Sequence, residues 1–355
     1  DLAGKVNLPT ETVLAEQYRC SRPTLRKALG ELKQAGYVTS VKGSGAYINA
    51  PAPANTANNG KFFGIIFPNL GPGYFLDPLG NQLAQYASLQ GYSLVWGGYI
   101  SPKSETLKLD ILRICERYIW QRIEGLFFAP FEYHDKRNMI NAEIAATISY
   151  AGIPIVLIDS NTKAYPEING FDLVSMDHVQ ASYILTEHII HRGFRRVFFL
   201  APPFSHHTIK LRLMGYHEAL LDHHLEPEAL VELPVDDLAL VSGFVESKKP
   251  DAVICSNDVT AMSLITSFEK MGLRVPGDIA VAGFDHLSKV IPFSRPVTSI
   301  EQPVAAIAQN ALELMINRIA NPEKAVSQRV FSGKLIIEAT TDPLDTLLQR
   351  DIFDA

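Results

Sequence analysis

Cysteine is scarce. The chain has three in 355 residues, Cys20, Cys115 and Cys255, far apart and without metal-ligand spacing. That excludes a disulfide framework and points to a reducing compartment. Long apolar runs are missing as well: none approaches the roughly 18–20 residues that a membrane-spanning helix needs, and nothing resembles a signal peptide. There is no Gly-x-x-x-x-Gly-Lys phosphate loop, no Gly-x-Ser-x-Gly elbow and no evident nucleophile–base pair, so the sequence gives no handle for an enzyme. Low-complexity tracts and short repeats are absent too.

What is present falls into parts. Residues 49–61, Asn-Ala-Pro-Ala-Pro-Ala-Asn-Thr-Ala-Asn-Asn-Gly-Lys, hold no large apolar side chain and read as a semi-extended linker. It separates a head, residues 1–48, from a body, residues 62–340, followed by a tail, residues 341–355. The head has seven Lys or Arg against four Asp or Glu, a net +3 on a chain of −6, so the remainder carries −9. A basic head on an acidic body is the charge pattern of a protein that meets nucleic acid at one end.

The head reads as helix, tight turn, helix and two-stranded wing. Thr10 is placed to cap a first helix, with Val13, Leu14 and Tyr18 on one face. Ser21 caps a second, with Pro23 in its first turn, where a missing N–H costs nothing. Leu25, Leu29 and Leu32 repeat at helical spacing and predict its buried stripe, and Gly36 ends it. Arg22, Thr24, Arg26 and Lys27 fall on the opposite face. The N-terminal residues of such a helix read base edges in the major groove, where the arginine fork matches guanine O6 and N7. Residues 37–41 and 46–48 predict the wing, joined by Lys42-Gly43-Ser44-Gly45, a tip slim enough to approach a sugar-phosphate backbone.

The run Leu8-Pro9-Thr10-Glu11, Leu14-Ala15, Ser21-Arg22-Pro23-Thr24-Leu25-Arg26-Lys27-Ala28-Leu29, Leu32, Gly36 and Gly43-Ser44-Gly45 resembles the winged helix-turn-helix of the GntR family. The resemblance implies DNA contacts from Ser21, Arg22, Thr24 and Arg26 in the recognition helix, and from Lys42 and Gly43 in the wing. The family often has Arg where this chain has Thr12, which removes one phosphate contact from the expectation. The family's first helix is expected before residue 1, with the chain beginning inside the domain.

The body alternates short apolar runs with longer amphipathic ones. Strands are predicted at 62–68, 92–97, 125–129, 153–158, 173–176, 195–201, 251–255 and 279–284. Helices are predicted at 81–90, 104–121, 138–151, 179–191, 211–223, 259–271 and 304–319. Strands apolar throughout and separated by helices imply an α/β fold with parallel sheets covered on both faces. Ligands in such sheets sit beyond the carboxyl ends of the strands.

Pieces spread over nearly all of residues 62–340 resemble the effector domain of the LacI/GalR family, two-lobed like the periplasmic sugar-binding proteins. Among them are Gly152-Ile153-Pro154-Ile155-Val156-Leu157-Ile158-Asp159, Pro250-Asp251-Ala252-Val253-Ile254-Cys255-Ser256-Asn257-Asp258 and Ile279-Ala280-Val281-Ala282-Gly283-Phe284-Asp285. The resemblance implies that Asp159, Arg212, Asn257 and Asp285 converge on a ligand between the lobes, with Tyr74 and Phe75 lining it from the N-terminal lobe. Carboxylate, amide and guanidinium groups suit a sugar, whose hydroxyls both donate and accept. The bland alternative is that the Asp and Asn residues are turn and cap residues; Phe284 reads as core. The family often stacks an aromatic ring from the position of Leu238, so here the ligand is expected to be smaller or another aromatic such as Tyr74 to replace the stack. His188 and His191 share a helix face, and His206-His207 and His223-His224 are adjacent pairs. No recognisable set of further ligands accompanies them, so no metal or cofactor is expected. Residues 342–355 can form an amphipathic docking helix.

A GntR-like head on a LacI/GalR-like body is similar to bacterial arabinose-type repressors. The combination implies a cytoplasmic homodimer on an inverted-repeat operator, controlled by a monosaccharide such as a pentose, or by a sugar phosphate. Use of the ligand as co-repressor stays open, as do a transport-type sugar-binding protein and a sugar-processing enzyme.

Overall fold

The computed structural model describes residues 6–17, 20–34, 38–41, 45–48, 60–68, 75–98, 106–131, 136–163, 167, 170–203, 207–291, 293 and 295–342. The chain divides into two units, Asp1–Asn59 and Gly60–Ala355.

In the first unit, Thr10 starts α1 (Glu11–Gln17), its Oγ1 accepting the Val13 N–H at 3.5 Å. Ser21 starts α2 (Arg22–Gln34), its Oγ accepting the Thr24 N–H at 3.3 Å. Leu14 and Ala15 bury against Leu25 and Leu29, with Leu8 and Cys20 at the margin. Val13 and Leu32, expected in that apolar stripe, are instead about half exposed. The cause is length: α1 is under two turns and covers only the part of α2 that carries Leu25 and Leu29. Tyr18 and Gly36 lie outside the described residues. β2 (Val38–Val41) and β3 (Gly45–Ile48) pair antiparallel as a wing, and β1 (Val6–Asn7) joins the other edge of β3. A two-residue strand leaves no periodicity to read.

The second unit is built on two six-stranded sheets. The first contains β4 (Lys61–Ile66), β5 (Tyr92–Trp96), β6 (Gly125–Phe128), β7 (Ile155–Ile158), β8 (Asp172–Met176) and β14 (Gln328–Phe331), in the order β14-β8-β7-β6-β4-β5, all parallel. The second contains β9 (Val197–Ala201), β10 (Val231–Glu232), β11 (Ala252–Cys255), β12 (Ala280–Phe284), β13 (Thr298–Glu301) and β15 (Lys334–Ile336), in the order β10-β9-β11-β12-β13-β15, where β15 alone runs antiparallel.

Strand alternation feeds a core on each face of each sheet. Val156 and Ile158 of β7 pack with α3 (Leu76–Leu89) and α10 (Val304–Ala320), while Ile155 and Leu157 pack with α4 (Leu107–Gln121) and α5 (Arg137–Tyr150). Val253 of β11 meets α8 (Leu238–Lys248) and α9 (Asp258–Lys270); Ile254 meets α6 (His178–His191) and α7 (His207–Asp222). Both faces are buried, which is why these strands read as unbroken apolar runs.

The chain passes between the sheets three times: from β8 through α6 to β9, from β13 through α10 to β14, and from β14 straight to β15. Short elements at these passages and edges, β10, β13, β14 and β15, escape sequence reading, as does α8, which buries only Val241 and Phe244. The tail expected to dock as a helix lies outside the described residues beyond Asp342, whose buried carboxylate pairs with Arg192.

One glycine fixes a helix pair. A Cβ at Gly215 of α7 would stand 2.0 Å from the Val179 carbonyl oxygen of α6. Backbone cannot yield as a side chain does, so Gly215→Ala is expected to push α6 and α7 apart and cost about 1–3 kcal/mol. Thermal denaturation checks this; an unchanged midpoint contradicts the close approach.

Candidate functional site

The carboxyl ends of the strands meet at a cavity whose empty volume, open mouth included, is about 630 Å³. From the first sheet's side come Phe75 and Leu76 at the start of α3, Ala129 and Pro130 after β6, and Ile158, Asp159 and Ser160 at the end of β7. From the other side come Thr208, Ile209 and Arg212 of α7, Asn257 after β11 and Asp285 after β12.

Arg212 is the hub. It is 5% exposed, and its guanidinium lies over the Phe284 ring, 4.3 Å from the centroid. Nη1 donates to the Ser256 carbonyl, and Nε donates to His178 Nδ1 at 3.2 Å. A guanidinium has no lone pair to offer, so His178 Nδ1 must be the acceptor and Nε2 the protonated nitrogen. That Nε2 lies 3.2 Å from Asp159 Oδ1 and 3.3 Å from Ser175 Oγ. The guanidinium is thus hydrogen-bonded to the imidazole, which lies buried against the Asp159 carboxylate, between two residues that line the cavity. Ser175 Oγ is also 2.7 Å from the Asp159 carbonyl, steadying a residue held at φ +68°. Asp285 (φ +99°) and His286 (φ +48°) share this left-handed region, which side chains with a Cβ seldom occupy.

Asp285 accepts from Gln302 Nε2 at 2.7 Å. Burial raises its carboxyl above the ordinary value, and Arg212 and Gln302 oppose that rise. Behind it, Asp258 is fully buried, accepts from Ser299 Oγ and the Leu287 N–H at 2.8 Å each, and is raised further, first by burial and then by the charge of Asp285.

The sign of the pH effect follows. Asp258 binds its proton more tightly folded than unfolded, so stability falls as pH climbs from the ordinary 3.8 through the raised folded value. Asp258→Asn removes the charge; its amide oxygen can still accept the Leu287 N–H, while its amide N–H can donate to Ser299 Oγ, reversing that bond. It is expected to remove up to about 1.4 kcal/mol per pH unit from that slope. Denaturation midpoints between pH 4 and 8 measure it; parallel curves for both proteins would contradict the buried-charge account.

Five expected residues, Phe75, Asp159, Arg212, Asn257 and Asp285, therefore line one cavity. Asn257 is at the same time the N-cap of α9, its Oδ1 accepting the Thr260 N–H at 2.9 Å. Phe284 is core, as expected, and serves as the platform under Arg212. Tyr74 lies outside the described residues. Leu238 does not line the cavity: it opens α8 behind the Asp237 cap and is 40% exposed. Sequence reading missed His178, Thr208 and Gln302. For His178 a signal existed, an imidazole just beyond a strand end and its capping Asp177.

In the head, Ser21, Arg22, Thr24 and Arg26 are all exposed at the start of α2, while Lys42 and Gly43 lie outside the described residues. Arg22 Nη2 donates to Thr12 Oγ1 at 2.8 Å and Arg26 Nε to Glu11 Oε2 at 2.8 Å. Each bond engages one nitrogen of its guanidinium, and the arms can exchange these partners for DNA. An exposed pair of this kind is worth about 1 kcal/mol at most, so the exchange costs little.

A small winged helix-turn-helix and a two-lobed parallel body define the class. Residues 3–48 match the model of bacterial regulatory proteins of the gntR family, and residues 186–341 that of the periplasmic binding protein-like domain; the chain carries these two domains. It is 26% identical over 347 residues to the arabinose metabolism transcriptional repressor of Geobacillus stearothermophilus, covering 94% of this chain and 91% of that one. It is also 26% identical over 351 residues to the HTH-type transcriptional repressor PurR of Klebsiella pneumoniae, covering 95% and 94%. Among solved structures it is similar to a complex of the transcriptional regulator CelR with cellobiose, with a TM-score of 0.66 at 20% identity over 94% of this chain and all of that one.

Proposed function

We propose that the protein is a sugar-responsive transcriptional repressor, a cytoplasmic homodimer whose heads bind an inverted-repeat operator and release it when a monosaccharide enters the cavity. The observation that carries this reading is the joining, in one chain, of an exposed Arg22/Thr24/Arg26 helix face to a cavity lined by Asp159, Arg212, Asn257 and Asp285. The repressor names of its relatives support it. No helix among the described residues is long and apolar enough to cross a membrane.

The charge of the cavity favours a neutral sugar over a sugar phosphate. Asp159 and Asp285 face a single guanidinium, which leaves no surplus positive charge for a phosphate dianion. Carboxylates that accept from hydroxyls, a guanidinium that donates, and the Phe75 ring against C–H surface suit a monosaccharide, and the name of the Geobacillus relative puts arabinose first among the candidates. Lobe closure on the sugar shifts β4, which follows the linker, and so changes the spacing of the two heads; coupling of about 1–3 kcal/mol is the expected scale. Isothermal calorimetry against a panel of pentoses, hexoses and their phosphates, with gel shifts in parallel, tests the proposal. Tighter DNA binding with sugar reverses its sign, and no binding by any of them removes it.

A further inference from the structure

The far ends of α6 and α7 hold a group of donors unrelated to the cavity. Glu187 and His191 stand one turn apart on α6, and His223 directly follows α7. A spacing of four residues puts the first two on one helix face. The close α6–α7 packing at Gly215 supplies the third. One ligand atom from each lies within 4.8 Å of the other two. His223 Nε2 is 3.7 Å from Glu187 Oε1, too long for a hydrogen bond, and the imidazole rings of His191 and His223 meet edge to face with centroids 5.2 Å apart. The surroundings are anionic. Tyr183 donates to Asp222 Oδ2 at 3.0 Å, and its hydroxyl is held above the ordinary value by that bond and by the charges of Asp222, Glu187 and Glu218.

We propose that Glu187, His191 and His223 bind a divalent transition-metal cation, with zinc the best fit. Two imidazoles and a carboxylate are a borderline donor set of the kind zinc takes, and the exposed position leaves room for water as a fourth ligand. Donors at about 2.0–2.2 Å from one ion sit roughly 3.3–3.5 Å apart, so side-chain rotations of about 1 Å close the present spacing. Two clustered imidazoles beside three carboxylates attract a cation in a way that a lone surface histidine does not. The bound ion would clamp the last turn of α6 to the end of α7. These are the helices whose opposite ends carry His178 and Arg212, yet the site is independent of what enters the cavity.

The test is calorimetric titration of the untagged full chain with zinc chloride, with cobalt(II) absorption as a second readout of coordination. The expected result is one zinc per chain with a Kd of roughly 10 µM or tighter. His191→Ala and His223→Ala should each weaken binding on the order of tenfold or more, and Glu187→Gln should weaken it too. His224→Ala, next to the site, should leave it unchanged. Glu187 and His191 lie on α6 and His223 and His224 just after α7, all partly or fully exposed, and circular dichroism confirms that the variants are folded. Binding weaker than about 100 µM, or zinc affinity unaltered in both His191→Ala and His223→Ala, overturns the proposal.

Discussion

Asp285→Asn is expected to leave operator binding intact while removing the response at sugar concentrations that release the parent, and Arg212→Ala to do the same more severely. Each anchor offers a ligand hydroxyl a charge-assisted hydrogen bond, and losing one costs about 1.5–3 kcal/mol, or roughly 10- to 150-fold in sugar affinity. Arg212→Ala should exceed that range, because the guanidinium also fixes the His178 tautomer and so the group that faces Asp159. The two variants separate binding from scaffolding. Asp285→Asn keeps the volume and can still meet Gln302, so its thermal midpoint should barely move. Arg212→Ala strips partners from the Ser256 carbonyl and His178, so its midpoint should fall. Gel shifts with and without sugar, with calorimetry on the same preparations, give the readout. An Asp285→Asn protein that still releases its operator at the parent's sugar concentration would remove this residue from the site.

In the head the expected contrast is between specific and general contacts. Arg26→Ala should lose about 1–3 kcal/mol on the operator and little on unrelated DNA, if its fork meets a guanine. Arg22→Ala should behave alike. Lys42→Ala should weaken all sequences about equally and flatten the dependence on salt, as loss of one phosphate contact does. Fluorescence anisotropy on operator and scrambled duplexes, at two or more salt concentrations, distinguishes these outcomes. Unchanged operator affinity in both arginine variants would place the reading face elsewhere.

Much of this architecture is legible in the residues. Strands buried on both faces are apolar without a break, and their α/β alternation sets the two-lobed parallel plan. Asp159, Asn257 and Asp285 are visible because each follows such a strand. The rest is hidden for physical reasons. β1 has two residues, and β14 alternates between exposed and half-buried positions, so neither carries an apolar signature. The exposure of Val13 and Leu32 depends on how much of one helix a short partner can cover, which periodicity does not encode. His178 joins the site from behind the cavity lining only because α7 brings Arg212 against it, a contact across 34 residues. The neighbourhood of Glu187, His191 and His223 is likewise made by a helix pair rather than by a motif.

The three passages between the sheets bear on how the protein is made. The first lobe's core is finished by Ile307, Ala308, Ala311, Leu312, Leu314 and Met315 of α10, and its edge by β14, both of which follow the whole run of the second lobe from α6 through β13. On the ribosome, the α3 side of the first sheet therefore stands covered by α3 alone while more than a hundred further residues are synthesised, from β8 to α10. At about 5–20 residues per second that exposure lasts on the order of ten seconds. For that interval the nascent chain presents Leu79, Leu83 and Val156 without the α10 side chains that cover them in the finished fold.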